Sequence, residues 1–478
     1  MINFKMLIKQ INAFFSDIFL QTKSIFSKSQ MPELNDKTKI PLSQLVLPML
    51  VENIIRTSIM SVDQLMLYAY SEKAVAAVGV INQLAFFIQL IYMMVAIGSS
   101  IHISQNLGAG RKSEAGLIGA GSFVLMGIFS FFLSVIMVFS AGNILQLFTL
   151  EPEVYNYAST FMIIYCGGSV FLGLNIASAA ILRAYGFSKD PMIINGIAFI
   201  FTIAGNSLCL FGWFGFPVFG VAGVAVVTVT SQLLALILMM GKINKHSEIN
   251  IPFRKMLKVP ANIYYKILSV GIPTAGENLM YNISQIVITG MIAKLGTSSL
   301  AAYSLVITLS RYIFISGVSI GSGTQIKVGY YVGKELLDDA HRKVYKYFAF
   351  GFTISAFMVI LINLFKAPIL SLFTKNSEII SIASSVLLIG MILEPGRNFN
   401  TIIIPGLKGS GDVRFPVVIG AISMWAIGVT GAWLFGIHFG MGLFGIWIAL
   451  TIDEWTRGLI MLARWRSGAW RTKGLIKN

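Results

Sequence analysis

Charge is scarce in this chain. Of its 478 residues 56% are hydrophobic and only 12% charged, and the mean hydropathy is +0.77. A soluble chain of this length would carry about 25% charged residues. The 36 Lys and Arg and 20 Asp and Glu cannot coat a fold of this size in water, which excludes soluble enzymes. Cysteine is scarcer still. Cys166 and Cys209 both lie inside apolar runs, which excludes a disulfide framework or a zinc site. His102 and His246 have no second His or Cys at ligand spacing, so no metal is expected. The motifs GxxxxGK[ST] and HExxH are absent, and the GxSxG match GVSIG (317–321) lies inside an apolar run, not at a nucleophile elbow, so neither ATP nor membrane hydrolysis is read here. No enzyme activity and no cofactor are expected.

The chain does have long apolar runs. A net charge of +16 and a pI near 9.7 would suggest nucleic acid in a soluble protein. Here the basic excess reads as topology, and the bilayer, not nucleic acid, is the expected partner. Twelve stretches can cross the bilayer at about 20 residues each. They are 41–70, 75–106, 115–141, 153–184, 190–212 and 219–241, then 262–293, 298–331, 342–366, 376–408, 415–437 and 441–465. Several exceed the minimum, so tilted or bent helices are expected. Period-two alternation is absent, and SFVLMGIFSFFLSVIMVF (122–139) is apolar on every face, so the spans are helical. About 28 of the 36 Lys and Arg fall at the termini or in loops on their side of the membrane. The opposite loops hold Lys73, Lys294, Lys366 and Lys375. Both termini are therefore expected in the cytoplasm, with the chain in the cell membrane. Residues 1–40 read either as an amphipathic helix on the membrane surface or as a disordered basic tail.

Sliding the chain against itself by 225 residues puts PMLVEN (48–53) on PTAGEN (273–278) and ILQLFT (144–149) on ILSLFT (369–374). The same shift pairs Gly98 and Gly108 with Gly323 and Gly333, and Asn175 with Asn400. It also pairs Leu182, Gly186 and Pro191 with Leu407, Gly411 and Pro416. A series of Gly, Pro, Asn and Glu in one register marks an internal duplication. Six spans per unit make the halves parallel repeats about an axis along the membrane normal. The expected fold is an all-α integral membrane protein of twelve transmembrane helices in two six-helix lobes. Its parts are 1–40, an N-lobe at 41–241, a linker at 242–261, a C-lobe at 262–466 and a tail at 467–478. Such a duplication places a solute pathway between the lobes, and a single chain is expected to work as a monomer.

Ionisable residues inside spans are costly and point to function. Glu52 and Arg56 are four apart, as an ion pair along one helix would be. Asp63 has no basic residue three or four positions away, and a lone carboxylate is what a coupling ion needs. The second half has Glu277 at the position of Glu52 but Ile288 at that of Asp63. In LEPGRNFN (393–400), Glu394 and Arg397 can pair, while Pro395 and Gly396 are expected to bend or unwind the helix. In span 12, Asp453 and Arg457 suit a pair, which leaves Glu454 less satisfied. Arg311 is a candidate partner for one of these acids. Asn175, Asn278 and Asn400 join the candidates for a substrate cavity.

MSVDQLMLYAYSEKAVAAVGV (60–80), SQNLGAGRKSEA (104–115), LFTLEPEV (147–154), ILRAYGFSKDPM (181–192), GVAGVAVVT (220–228) and LKGSGDVRFP (407–416) resemble the multidrug and toxic compound extrusion family. The resemblance implies two lobes forming a V around a central cavity that opens alternately to either side. It implies export of organic solutes, often cationic drugs, in exchange for protons or sodium ions. Carried over, the N-lobe cation site is Asp63, Thr202, Asn206 and Thr228. Some members have Asn and Asp where Thr202 and Asn206 stand, so fewer charges here favour the proton over sodium. The glutamate some members use on span 7 aligns with Tyr281, and the acid some use on span 10 falls near Arg397. If Arg56 or Arg397 is unpaired and faces the cavity, an anionic or zwitterionic substrate follows. A flippase for lipid-linked precursors is a rival. It calls for several unpaired cavity bases, and the sequence leaves only Arg311 without a nearby acid. A channel or structural membrane protein is the other rival.

Overall fold

The computed structural model describes residues 36–476; the proposed surface helix or tail lies almost wholly outside them. The described chain is helical throughout and contains twelve long helical segments. In the first half they are α1 (Leu42–Tyr70), α2 (Glu72–Gly108), α3 (Lys112–Phe139), α4 (Pro152–Gly167 with Ser169–Ala184), α5 (Lys189–Phe211) and α6 (Gly220–Lys245). In the second they are α7 (Ala261–Ala293), α8 (Thr297–Gly333), α9 (Leu337–Leu364), α10 (Ser377–Ser410), α11 (Arg414–His438) and α12 (Gly442–Arg466). The sequence reading placed every end within about five residues of these. Among the described residues, nine helices are individually long and apolar enough to span, and α4 makes a tenth as a pair bent by 46°. The other two, α7 and α12, are 33 and 25 residues long and carry charges that find partners inside the protein.

Local chemistry sets the helix ends. At the end of α4, Gly186 adopts φ +95 and the Phe187 amide donates to the Leu182 carbonyl. At the end of α10, Gly411 adopts φ +100 and the Asp412 amide donates to the Leu407 carbonyl. Both are left-handed glycine caps that satisfy orphan carbonyls. The segments LRAYG and LKGSG thus close the same helix in both halves. Pro191 and Pro416 sit in the first turn of the next helix, where a missing amide costs nothing.

Span 10 departs from expectation. Pro395 and Gly396 do not unwind it: the α-helix runs to Asn398 and continues as a wide π-turn over Phe399–Ile403. Trp455 packs where a Gly396 side chain would be, and its indole N–H donates to the Ile392 carbonyl. Helix α12 thus packs directly against this stretch of backbone. Helix α11 contains two further wide-turn stretches, Met424–Val429 and Ala432–His438.

One apolar core holds the first six helices together and extends to Ile263, Ile267, Ile326 and Tyr330 of the second half. Two other clusters fill the second lobe. The lobes meet near the membrane face at which both described termini lie, here called the terminal face. There α2 and α8 cross backbone to backbone. A Cβ on Gly108 would lie 2.2 Å from the Tyr330 carbonyl oxygen, and one on Gly333 would lie 1.9 Å from that of Gln105. The Tyr330 hydroxyl donates across the interface to the Ala184 carbonyl (2.6 Å), and Gln105 Nε2 donates to the Gly409 carbonyl (2.8 Å). Each contact maps onto the other under the sequence shift, so the pseudo-two-fold axis passes through this crossing. Gly333→Ala is expected to force the helices apart and to destabilise the protein by about 1–3 kcal/mol, the usual cost of overpacking. Thermal unfolding in detergent, beside the exposed Gly290→Ala as control, checks this.

The first described residues tie onto this face. Lys327 Nζ donates to the Thr38 and Ile40 carbonyls (2.6 and 2.7 Å), Lys37 pairs with Glu248, and Lys334 pairs with Asp36 at 2.6 Å. The Lys334 bond holds the Asp36 carboxyl down at about 2. A lowered folded-state value means that this tie is intact above the ordinary carboxylate range and is lost as pH falls toward 2.

Candidate functional site

Each lobe contains a polar cavity, and the two occupy equivalent places under the 225-residue shift. The N-lobe cavity, about 250 Å³, is lined by α1, α2, α4, α5 and α6. Asp63 faces it half-buried and accepts a hydrogen bond from Asn206 Nδ2 at 2.9 Å. Thr202 Oγ1 lies 2.9 Å from both the Ala198 carbonyl and Ser231 Oγ, and Thr228 donates to the Val224 carbonyl at 2.8 Å. Their hydroxyl protons are thereby directed to the helix backbone, which leaves oxygen lone pairs for a cation. The second oxygen-bearing group, Asn206 Oδ1, is buried without a hydrogen-bond partner. The four residues of the expected cation site are thus brought together. Asn175 lines the same cavity and donates to Gln232 Oε1 at 2.9 Å.

The α1 ion pair differs from the sequence expectation. Glu52 does not pair with Arg56. It turns into the lobe, where Arg183 Nη1 reaches both of its oxygens at 2.8 Å and Asn195 Nδ2 donates at 2.8 Å. Arg56 turns the other way. It is exposed to the cavity and makes no ion pair within 4 Å among the described residues. The second half repeats the corrected arrangement: Lys408 of α10 binds Glu277 of α7 at 2.6 Å, with both side chains nearly buried. The shift that carries Glu52 to Glu277 also carries Arg183 to Lys408. Sequence reasoning missed this pair, although the repeated basic residue before each glycine cap was the signal for it.

The C-lobe cavity, about 140 Å³, is lined by Tyr281 where the first half has Arg56, by Ile288 where it has Asp63, and by Asp453 where it has Thr228. Its acids, Asp453 and Glu454, and the adjacent Glu394 are all paired. Glu394 binds Arg397 Nη1 at 2.9 Å, and Asp453 binds Arg457 at 3.2 Å and the Ser423 hydroxyl. Glu454, expected to be the less satisfied acid, has the most partners: Asn400 Nδ2 at 2.6 Å, Arg457 at 2.9 Å and Arg397 Nε at 3.5 Å. The reason is geometric. Asn400 and Arg397 on α10 face α12 across its wide turn, and i,i+4 counting along α12 could not include them. Arg311 lines this cavity, exposed, and answers none of the acids within 4 Å among the described residues. Of the substrate-cavity candidates, Glu52, Arg56 and Asn175 line the first cavity, and Tyr281, Arg397 and Glu454 the second. Glu277 and Glu394 are held in buried pairs, Asn278 bonds its own helix at the Thr274 carbonyl, and Asn400 supports Glu454.

Twelve helices in two repeated lobes, each with a polar cavity inside the membrane, define a multi-pass membrane transporter and not an enzyme. The MatE family model matches the chain twice, at residues 48–208 and 273–434. The two matches start at the offset of the internal repeat. The chain is 37% identical to the uncharacterized transporter YisQ of Bacillus subtilis, over 95% of this chain and 99% of that protein. It is 25% identical to the probable multidrug resistance protein NorM of Thermotoga maritima, over 95% of this chain and 97% of that protein. A solved MATE structure in the bent conformation superposes with a TM-score of 0.84 at 18% identity, covering 90% of this chain and 96% of that one. A transporter of the MOP superfamily from Pyrococcus furiosus superposes at 0.83 with 17% identity, covering 92% and 98%. The chain belongs to the MatE family.

Proposed function

We propose that the protein is an ion-coupled exporter of small organic solutes in which Asp63 carries the coupling cation. The observation behind this reading is the sorting of carboxylates. Among the described residues that line the two cavities, Glu52, Asp453 and Glu454 are neutralised by arginine, and Asp63 alone has no ion pair. A carboxylate left without a counter-ion inside a membrane protein is costly unless it takes up a cation. One charge with amide and hydroxyl neighbours suits a proton better than sodium. Neutralising Asp63 removes a charge from between α1 and α5, shifts the preferred packing of α1 and drives solute from the N-lobe cavity. With both termini in the cytoplasm, the contacts at the terminal face seal the inner side, and the state described here opens outward. Alternating access then requires the crossing of α2 over α8 to part. The names of the probable multidrug resistance relatives support drug-like solutes, and the working unit is taken as one chain in the cell membrane, with its linker at 242–261.

The deciding experiment is export from reconstituted vesicles across a substrate panel, under separate proton and sodium gradients. Saturable export that collapses with the proton gradient alone is expected. Export driven by sodium alone would reassign the ion, and unsaturable flux would indicate a channel. A second reading, a flippase for lipid-linked precursors, gains support from Arg56 and Arg311, two cavity cations with no paired acid. Movement of a lipid-linked sugar in place of a soluble dye would establish it.

A further inference from the structure

Resting on the exporter reading, the geometry points to the charge type of the solute: we infer that the N-lobe cavity binds a zwitterion, its anionic group on Arg56 and its cationic group toward Asp63. The titratable groups lining this cavity are Glu52, Arg56, Asp63, Tyr165 and Arg183. Glu52 and Arg183 cancel each other in their pair. What the cavity offers a solute is therefore the Arg56 guanidinium, exposed and without an acid within 4 Å among the described residues, and the Asp63 carboxylate. They stand seven residues apart on α1, two turns along one face, which is about 10 Å of helix rise. A solute bearing only positive charge meets Asp63 but also the exposed Arg56 guanidinium, which has no acid within 4 Å among the described residues. One bearing only negative charge meets the reverse conflict while Asp63 is ionised. A molecule with a carboxylate or sulfonate at one end and a cation at the other satisfies both, and a guanidinium binds such anions in a two-pronged fashion.

The arrangement also explains how one cavity exchanges solute for a proton. A proton on Asp63 removes the partner of the solute's cationic end while leaving Arg56 charged, so the solute is weakened at one end and not held at both. The C-lobe cavity cannot serve the same class. It has an exposed cation in Arg311, but its acids are already paired.

Tetramethylrhodamine, a zwitterion, and its methyl ester, a cation of the same scaffold, separate these alternatives. Their binding to the purified full chain is read by fluorescence anisotropy, and their export by vesicle assays. Wild type is expected to bind the zwitterion at least about 10-fold more tightly than the ester, the scale of a charge-assisted bidentate contact. Arg56→Gln is expected to erase that preference, Arg56→Lys to keep part of it, and Arg311→Gln to leave it intact. Because Arg56 makes no ion pair within 4 Å among the described residues and feels Glu52 only at longer range, its variants should melt close to wild type. Equal or reversed preference in wild type, an unchanged preference in R56Q, or its loss in R311Q would overturn the inference. If the Arg56-dependent preference holds but no gradient drives either dye, the exporter reading fails and this one stands. If the ester is exported normally without any such preference, the outcome is the opposite.

Discussion

Asp63→Asn is expected to reduce gradient-driven export to the passive leak while leaving the protein inserted and folded. Asparagine preserves the shape of the side chain, and its amide oxygen can still accept from Asn206 Nδ2 across the 2.9 Å contact. What it loses is the capacity to change charge. A transporter coupled through this residue then behaves as though its ion were permanently bound, with one state favoured and no means of returning. Downhill exchange of solute is expected to survive better than uphill export, because exchange does not require the charge to change. Thr202→Val is expected to have a smaller effect, since it removes one oxygen neighbour and no charge. Vesicles loaded with dye and subjected to a pH step provide the measurement, with unfolding in detergent as the control for fold. Wild-type export in the Asn variant would remove Asp63 from the coupling role and leave, among the described cavity residues, the paired acids Glu52, Asp453 and Glu454.

Much of this architecture is legible in the sequence because membrane insertion constrains it so strongly. A span must satisfy its backbone internally and present about 20 apolar residues, so the runs give the twelve helices directly. The constant shift gives the two lobes, and the same shift is where the family model divides. The site was legible only in part. Asp63 stood out because nothing along its own helix neutralises it, and the fold keeps it free of arginine. The partners of the other charges could not be read by the same rule. Counting three and four residues along a helix finds Glu394 with Arg397 and Asp453 with Arg457, both present. It assigns Glu52 to the wrong arginine, because the true partner lies on α4. It also misjudges Glu454, which has Arg457 three residues on but draws its further partners, Arg397 and Asn400, from α10. Lateral partners depend on how helices face one another, which local periodicity does not carry. The wide turns of α10 and α11 were equally invisible, since no residue type demands them.

The duplicated ion pair allows the two halves to be compared in one protein. Lys408→Met is expected to cost about 3–5 kcal/mol, the penalty for leaving one member of a buried pair uncompensated. Glu277 would then sit in the second lobe with its 2.6 Å partner gone and almost no access to water, since the two side chains are only 9% and 10% exposed. Replacing both partners, Glu277→Leu with Lys408→Met, should restore most of that loss, because two apolar groups leave no stranded charge. Arg183→Met in the first lobe should cost less. Arg183 is 23% exposed, so water reaches the site, and Glu52 still accepts from Asn195. The measurement is thermal or denaturant unfolding of the four variants in one detergent. Equal losses for K408M and R183M would mean that the burial difference between the lobes has no energetic weight. A double variant no better than K408M would mean that Lys408 supports α10 through its stem and not through its charge. The unequal result expected here assigns the C-lobe pair to holding the fold. In the N-lobe, the equivalent pair lines the cavity and keeps Glu52 occupied, which leaves Asp63 as the acid without an ion pair among the described residues of that cavity.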